Sequence, residues 1–107
     1  MWASWCGSCR SFSRILIPLY HKYKDRGFII VGIAREKSVN DVLCALALEK
    51  YPWMQFVELE DKNSIWLKHG IENAGGGVFL VDDSGKIAAI NPTIEELVEF
   101  LERYCGQ

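Results

Sequence analysis

The sequence predicts an α/β fold, a central mixed sheet flanked by helices, in one domain covering all 107 residues. Three observations carry this. Apolar stripes at helical spacing alternate with apolar runs of strand length. Two such runs in the second half are joined by turn residues, and a helix start signal opens the last amphipathic segment. Half of the residues are apolar, enough for a modest core without disulfide scaffolding.

Phe12, Ile15, Leu16, Leu19 and Tyr23 recur at i, i+3, i+4, i+7 and i+11, which predicts an amphipathic helix ending near Gly27. Cys6 and Cys9 then lie at its N-terminus. Pro18 removes the N–H that would pair with the Arg14 carbonyl, so a kink is expected there. Phe28 to Ala34 is apolar without alternation, as in a parallel strand covered on both faces. Val39, Val42, Leu43 and Leu46 form a second helical stripe, closed by Tyr51-Pro52 because a residue before proline leaves the helical region. Gln55 to Leu59 is read as a loop, with a short edge strand as the alternative. A short helix around Asn63 to His69 stops at Gly70. Gly75-Gly76-Gly77 leads into Val78 to Val81, and Asp82 to Gly85 joins that run to Lys86 to Ile90 as a hairpin. Thr93 and Glu96 make a capping box, and Ile94, Leu97, Val98 and Leu101 form the buried stripe of the last helix.

A net charge of -2 provides no single-sign field of the kind that gathers phosphates, so nucleic acid is not an expected partner. The longest apolar runs are far short of the roughly 20 residues that span a bilayer, and no membrane segment is read. No charged stretch leads into an apolar one at the start, so no secretory leader is read either.

The chemistry lies in Cys6-Gly7-Ser8-Cys9. At a helix N-terminus, unpaired N–H groups and the macrodipole favour negative charge. They can bring a thiol pKa from about 8.5 into a range of roughly 3.5 to 7.5, and only the thiolate attacks a disulfide. Cys6, expected at the exposed helix end, is therefore the candidate nucleophile. Cys9, one turn later and expected to point inward, is the candidate resolving thiol. Arg10 adds a positive charge nearby. Zinc sites usually need four ligands, whereas Cys44, Cys105, His21 and His69 stand singly. The alternative function is a metal-binding or metal-delivery module using the same two thiolates. A purely structural Cys6–Cys9 bridge closes too short a loop to constrain the unfolded chain much. Cys44 is expected as a small buried hydrophobe, and Cys105 as a thiol near a mobile end, open to adventitious bridges.

Trp2-Ala-Ser-Trp-Cys-Gly-Ser-Cys-Arg10 resembles the active-site stretch of thioredoxin-like proteins, and within them the TlpA/ResA group of bacterial thiol-disulfide oxidoreductases. The likeness continues through Tyr20 to Gly27, Phe79 to Asp82 and Ser84 to Ile87. It implies a thioredoxin-like fold in which Cys6 attacks, Cys9 resolves, Trp5 contacts substrate and Trp2 packs in the core. Glu36 resembles a glutamate placed near the cysteines in some ResA-type proteins. Gly76 or Gly77 stands where the family usually has a cis-proline facing the cysteines, which implies that this backbone meets the substrate. The helix proline of relatives falls at Arg14 by spacing, and this chain has Pro18 instead.

The resemblance further implies disulfides or dithiols of other proteins as substrates, an upstream redox partner, and no organic cofactor or metal. A periplasmic or otherwise extracytoplasmic home is implied, reached by a leader absent from this sequence. In the family a central strand runs into the Trp-Ala-Ser-Trp stretch, and here only Met1 and Trp2 remain of it. An N-terminally truncated fold is therefore expected. The edges at Phe28 to Ala34 and Val78 to Val81 would then close up, or be filled by a second copy in a homodimer, or leave the domain less stable than its relatives.

Overall fold

The computed structural model describes residues 1–70 and 76–105. Helix α1 spans Gly7–Tyr23 and contains Pro18, which removes one hydrogen bond without ending the 17-residue helix. A 3-10 turn over Lys24–Arg26 follows. Gly27, at φ 99°, then reverses the chain in the left-handed region open to a residue without Cβ.

Strand β1 (Val31–Glu36) starts three residues later than Phe28 and runs two beyond Ala34. A strand needs a ladder partner, and β1 finds its strand partner in β2 (Met54–Leu59), parallel to it from Val31 opposite Met54 to Glu36 opposite Leu59. The loop expected over Gln55 to Leu59 is thus corrected to an edge strand. Its apolar side chains gave no half-buried pattern because both faces stay open, Met54, Phe56 and Leu59 all being exposed. Nor is β1 covered on both faces: Gly32, Ala34 and Glu36 are buried while the residues between them are open or half-open.

Helix α2 (Val39–Glu49) crosses between these strands. Ser38 Oγ accepts from the Asn40 N–H at its start, and Lys50, at φ 55°, ends it. Only Val42 and Ala45 of this helix are fully buried. Val39 and Leu43 are exposed, so the apolar stripe is narrower than predicted. Cys44 is exposed as well, which corrects its expected burial.

Helix α3 (Ile65–Lys68) buries Trp66 completely and is capped by the Asp61 carboxylate, which accepts from the Trp66 and Leu67 N–H groups. Strands β3 (Phe79–Val81) and β4 (Ile87–Ile90) form the expected antiparallel hairpin. Asp82 Oδ1 secures its turn by accepting from Ser84 and Lys86. Helix α4 (Ile94–Cys105) opens on the capping box: Thr93 Oγ1 accepts from the Glu96 N–H at 3.1 Å, and Glu96 Oε1 from the Thr93 N–H at 3.5 Å. Leu97 and Leu101 of α4 meet Trp2, Leu16, Tyr23 and Trp53 in the core.

The described strands form two two-stranded sheets, β1–β2 and β3–β4, so the mixed sheet is split. Met1 and Trp2 join the halves. On one side the Trp2 N–H donates to Ile33 O at 3.0 Å and Trp2 O accepts from the Arg35 N–H at 2.9 Å. On the other, the Gly77 N–H donates to Met1 O at 3.0 Å and the Met1 ammonium to Gly77 O at 2.9 Å. Beyond them a groove of about 920 Å³ separates the halves, with Phe12, Leu16, Ile30, Leu80 and Leu101 among its walls and Cys9 on its lining.

Candidate active site

Cys6 is the N-cap of α1, with extended backbone angles of φ -92° and ψ 96°. Its Sγ accepts from the Cys9 N–H at 3.3 Å and lies 3.6 Å from Ser8 Oγ. The Cys6 N–H donates to Ala3 O at 3.0 Å, closing the turn that carries Ser4 and Trp5. The two sulfurs are bonded to each other, with Cα atoms 5.3 Å apart, inside the usual disulfide range. Sequence spacing and cap geometry therefore coincide: a sulfur at the helix start and one a turn later stand three positions apart.

Exposure runs opposite to expectation. Cys6 is only 6% exposed, whereas Cys9 is half-buried and lines the groove. The cap conformation turns the Cys6 sulfur back onto the first helical turn, while Cys9 packs against the core cluster and borders the groove.

Trp5 stands beside the disulfide with its ring 53% exposed, open to another molecule, while Trp2 is buried as expected. The Trp2 indole N–H donates to Gln55 Oε1 at 2.9 Å, and its ring meets Tyr51 edge-on at 5.5 Å. Gly76 is brought against the site: a Cβ there would stand 2.8 Å from Cys9 Sγ and collide with Met1 O. Gly77 has both backbone groups paired with Met1. Gly75 lies outside the described residues. Glu36, at the end of β1, is 2% exposed and accepts from the N–H and the hydroxyl of Ser4, the latter at 2.8 Å.

Three participants carried no signal in the sequence. Ser4 is one; the others are Met1, which bridges to Gly77, and Glu49, which closes α2 against α1. Glu49 Oε1 accepts from Arg10 at 3.0 Å, and its carboxylate also takes the Arg14 guanidinium. The Arg14 hydrogen bond above all, then that of Arg10, holds the Glu49 pKa down to about 2 against the opposing effect of burial. Among the described residues no group of three or more His, Cys, Asp or Glu is placed to hold a metal ion, so the two thiolates have no third ligand there.

This fold and a bonded Cys-Gly-Ser-Cys pair at the start of its first helix are those of a thioredoxin-like thiol-disulfide oxidoreductase. The solved structures agree. The chain is similar to the thioredoxin domain of a thiol-disulfide oxidoreductase from Bacteroides vulgatus, at 27% identity and a TM-score of 0.84, over 97% of this chain and 74% of that one. It is similar to a thiol:disulfide interchange protein from Bacteroides sp., at 26% identity and a TM-score of 0.83, over 99% and 70%. A Chlorobium tepidum protein assigned as DsbE matches at 25% identity and a TM-score of 0.77, over 92% and 71%. No family model matches, and no curated protein does.

Proposed function

We propose that this chain is a TlpA/ResA-type oxidoreductase that exchanges disulfides in other proteins through Cys6. The observation that carries this reading is the Cys6 sulfur at the α1 N-cap, facing the Cys9 N–H while bonded to Cys9. In the oxidised state a substrate thiolate attacks Cys6 Sγ. A substrate–Cys6 bond forms, the Cys6–Cys9 bond breaks, and its electron pair leaves on Cys9 Sγ, which takes up a proton. The substrate's second thiolate then attacks the substrate sulfur of the mixed disulfide and expels Cys6 as a thiolate. Two electrons have moved from substrate to protein. In the opposite direction the Cys6 thiolate attacks a substrate disulfide, and Cys9 attacks Cys6 Sγ to release the reduced substrate. The cap favours Cys6 in both directions, because its N–H donor and the helix dipole stabilise sulfur as thiolate.

Trp5 supplies the exposed apolar surface for the substrate and Gly76 the adjoining backbone, with Gly77 anchoring that segment on Met1. Glu36 belongs to the site through its hold on Ser4. A second copy of the chain is the partner that suits the groove between the half-sheets, since both of its walls end in strand edges. Sedimentation should then show a dimer. An upstream redox partner recharges the pair, and the likeness to a DsbE-assigned protein supports an extracytoplasmic location.

Dithiothreitol-driven insulin reduction tests the assignment. Cys6→Ser should abolish turnover, and Cys9→Ser should accumulate a mixed disulfide. Equal residual activity in the two variants would overturn the roles.

A further inference from the structure

Ser4 lies two residues before Cys6, and each of its polar groups is held by a side chain from elsewhere. Its N–H and hydroxyl donate to Glu36, and its carbonyl accepts from Arg10 Nη1 at 3.1 Å. Arg10 is fixed in turn, donating from Nε and Nη2 to Glu49 Oε1 at 3.3 and 3.0 Å. Glu36 is 2% exposed and the Glu49 side chain 5%. Buried carboxylates are costly unless such bonds satisfy them. Two of them therefore converge, directly or through one arginine, on the residue that begins the active-site turn.

We propose that Glu36, Arg10 and Glu49 are positioning residues that clamp Ser4, and through it the turn from Ala3 to Cys6, so that the Cys6 sulfur stays on the Cys9 N–H. The proposal rests on Cys6 being the attacking thiol. The clamp joins three elements: the end of β1 through Glu36, the first turn of α1 through Arg10, and the end of α2 through Glu49. Arg10 spans two acceptors with one rigid guanidinium, a geometry that a lysine ammonium does not reproduce.

The charged side chains of the clamp and its ion pairs are Glu36, Glu49, Arg10 and Arg14, with the Met1 ammonium two residues before Ala3 and unchanged in every variant. A direct effect of the side-chain charges predicts the reverse of the clamp. A nearby carboxylate opposes a second negative charge. Glu36→Gln or Glu49→Gln would then make the Cys6 thiolate easier to form, and Arg10→Lys would leave it unchanged. Under the clamp all three loosen the turn, weaken the N–H to sulfur bond, and make the thiolate harder to form.

The test is performed on the full chain carrying Cys9→Ser, Cys44→Ser and Cys105→Ser, so that Cys6 alone titrates. Thiolate absorbance against pH and the rate of alkylation by iodoacetamide at neutral pH are read for Arg10→Lys, Glu49→Gln and Glu36→Gln. Glu102→Gln, which touches Tyr23 far from the turn, controls for charge. Each clamp variant should titrate about half a unit to one unit higher, a roughly threefold to tenfold loss of thiolate in the region below its pKa. The control should not move. An unchanged or lower midpoint in Arg10→Lys and Glu49→Gln overturns the clamp, and these two decide the matter if Glu36→Gln fails to fold. Because Cys6 is titrated directly, this failure is distinct from that of the catalytic roles, which are read from insulin reduction.

Discussion

At Gly76 the absence of a side chain decides what fits. A methyl group there would stand 2.8 Å from Cys9 Sγ and strike the Met1 carbonyl, so the backbone would have to withdraw from the disulfide. Overpacking of this kind typically costs about 1–3 kcal/mol. Gly76→Ala should therefore lower the urea midpoint by a corresponding amount and slow insulin reduction. Unchanged stability with unchanged rate would mean that the segment yields freely. Such contacts mark the limit of what the sequence shows at this scale. The placement of Cys6 and Cys9 at the start of a helix was legible from their spacing ahead of an apolar stripe, and the burial of Trp2 from the resemblance of the motif around it. Ser4 and Glu49 were not, because their partners lie 32 and 39 residues away and no local pattern announces the meeting. The Cys6 burial was missed for a related reason: a cap position says where the sulfur begins, while its exposure depends on how the preceding turn folds over it.

Among the elements, those with chemical end signals were the legible ones. The capping box of α4 stands as Thr93 and Glu96 predict, and Thr93→Ala should cost about 1 kcal/mol in denaturant unfolding, as N-cap losses generally do. A cost near zero would show that α4 is held by Leu97 and Leu101 alone. Strand β2 was missed because its edge position leaves apolar residues exposed on both faces, which erases the alternation a half-buried strand would show. Where α1 meets α2, the Glu49 carboxylate is held at a pKa of about 2, below its ordinary 4.5. A carboxylate with a depressed folded pKa contributes stability that is complete above the unfolded value and is lost as pH falls through the folded one. The stability difference between the parent chain and Glu49→Gln should thus be full well above 4.5 and shrink steadily towards 2. Urea melts across that window check it, and a difference that grows on acidification would contradict the pairing with Arg10 and Arg14.

For the molecule as a whole, the main departure from sequence expectation is the way the sheet divides. The alternation of helices and strands was legible, but strand order is a matter of long-range pairing. Only contact geometry reveals that Met1 and Trp2 alone bridge β1 to the segment before β3 among the described residues. This bridge places an α-amine inside a sheet. Burial lowers the Met1 amine from its ordinary 8.0 to about 6, because the charged form gives up water for a single carbonyl acceptor at Gly77. The sign of the effect follows from proton counting. Between these two values the unfolded chain holds the proton more than the folded one does, so stability rises with pH across the interval and is level outside it. A two-unit shift corresponds to roughly 2.7 kcal/mol, at about 1.36 kcal/mol per unit. In residues 1–107 with a free Met1 amine, the urea midpoint should therefore climb from pH 6 to 8. Nα-acetylation removes the titrating group and leaves every other one in place, so the acetylated chain should lack this part of the slope. Equal slopes in the two forms would mean that the Met1 amine is solvated, and that the half-sheets are joined through Trp2 and the Met1 carbonyl without it.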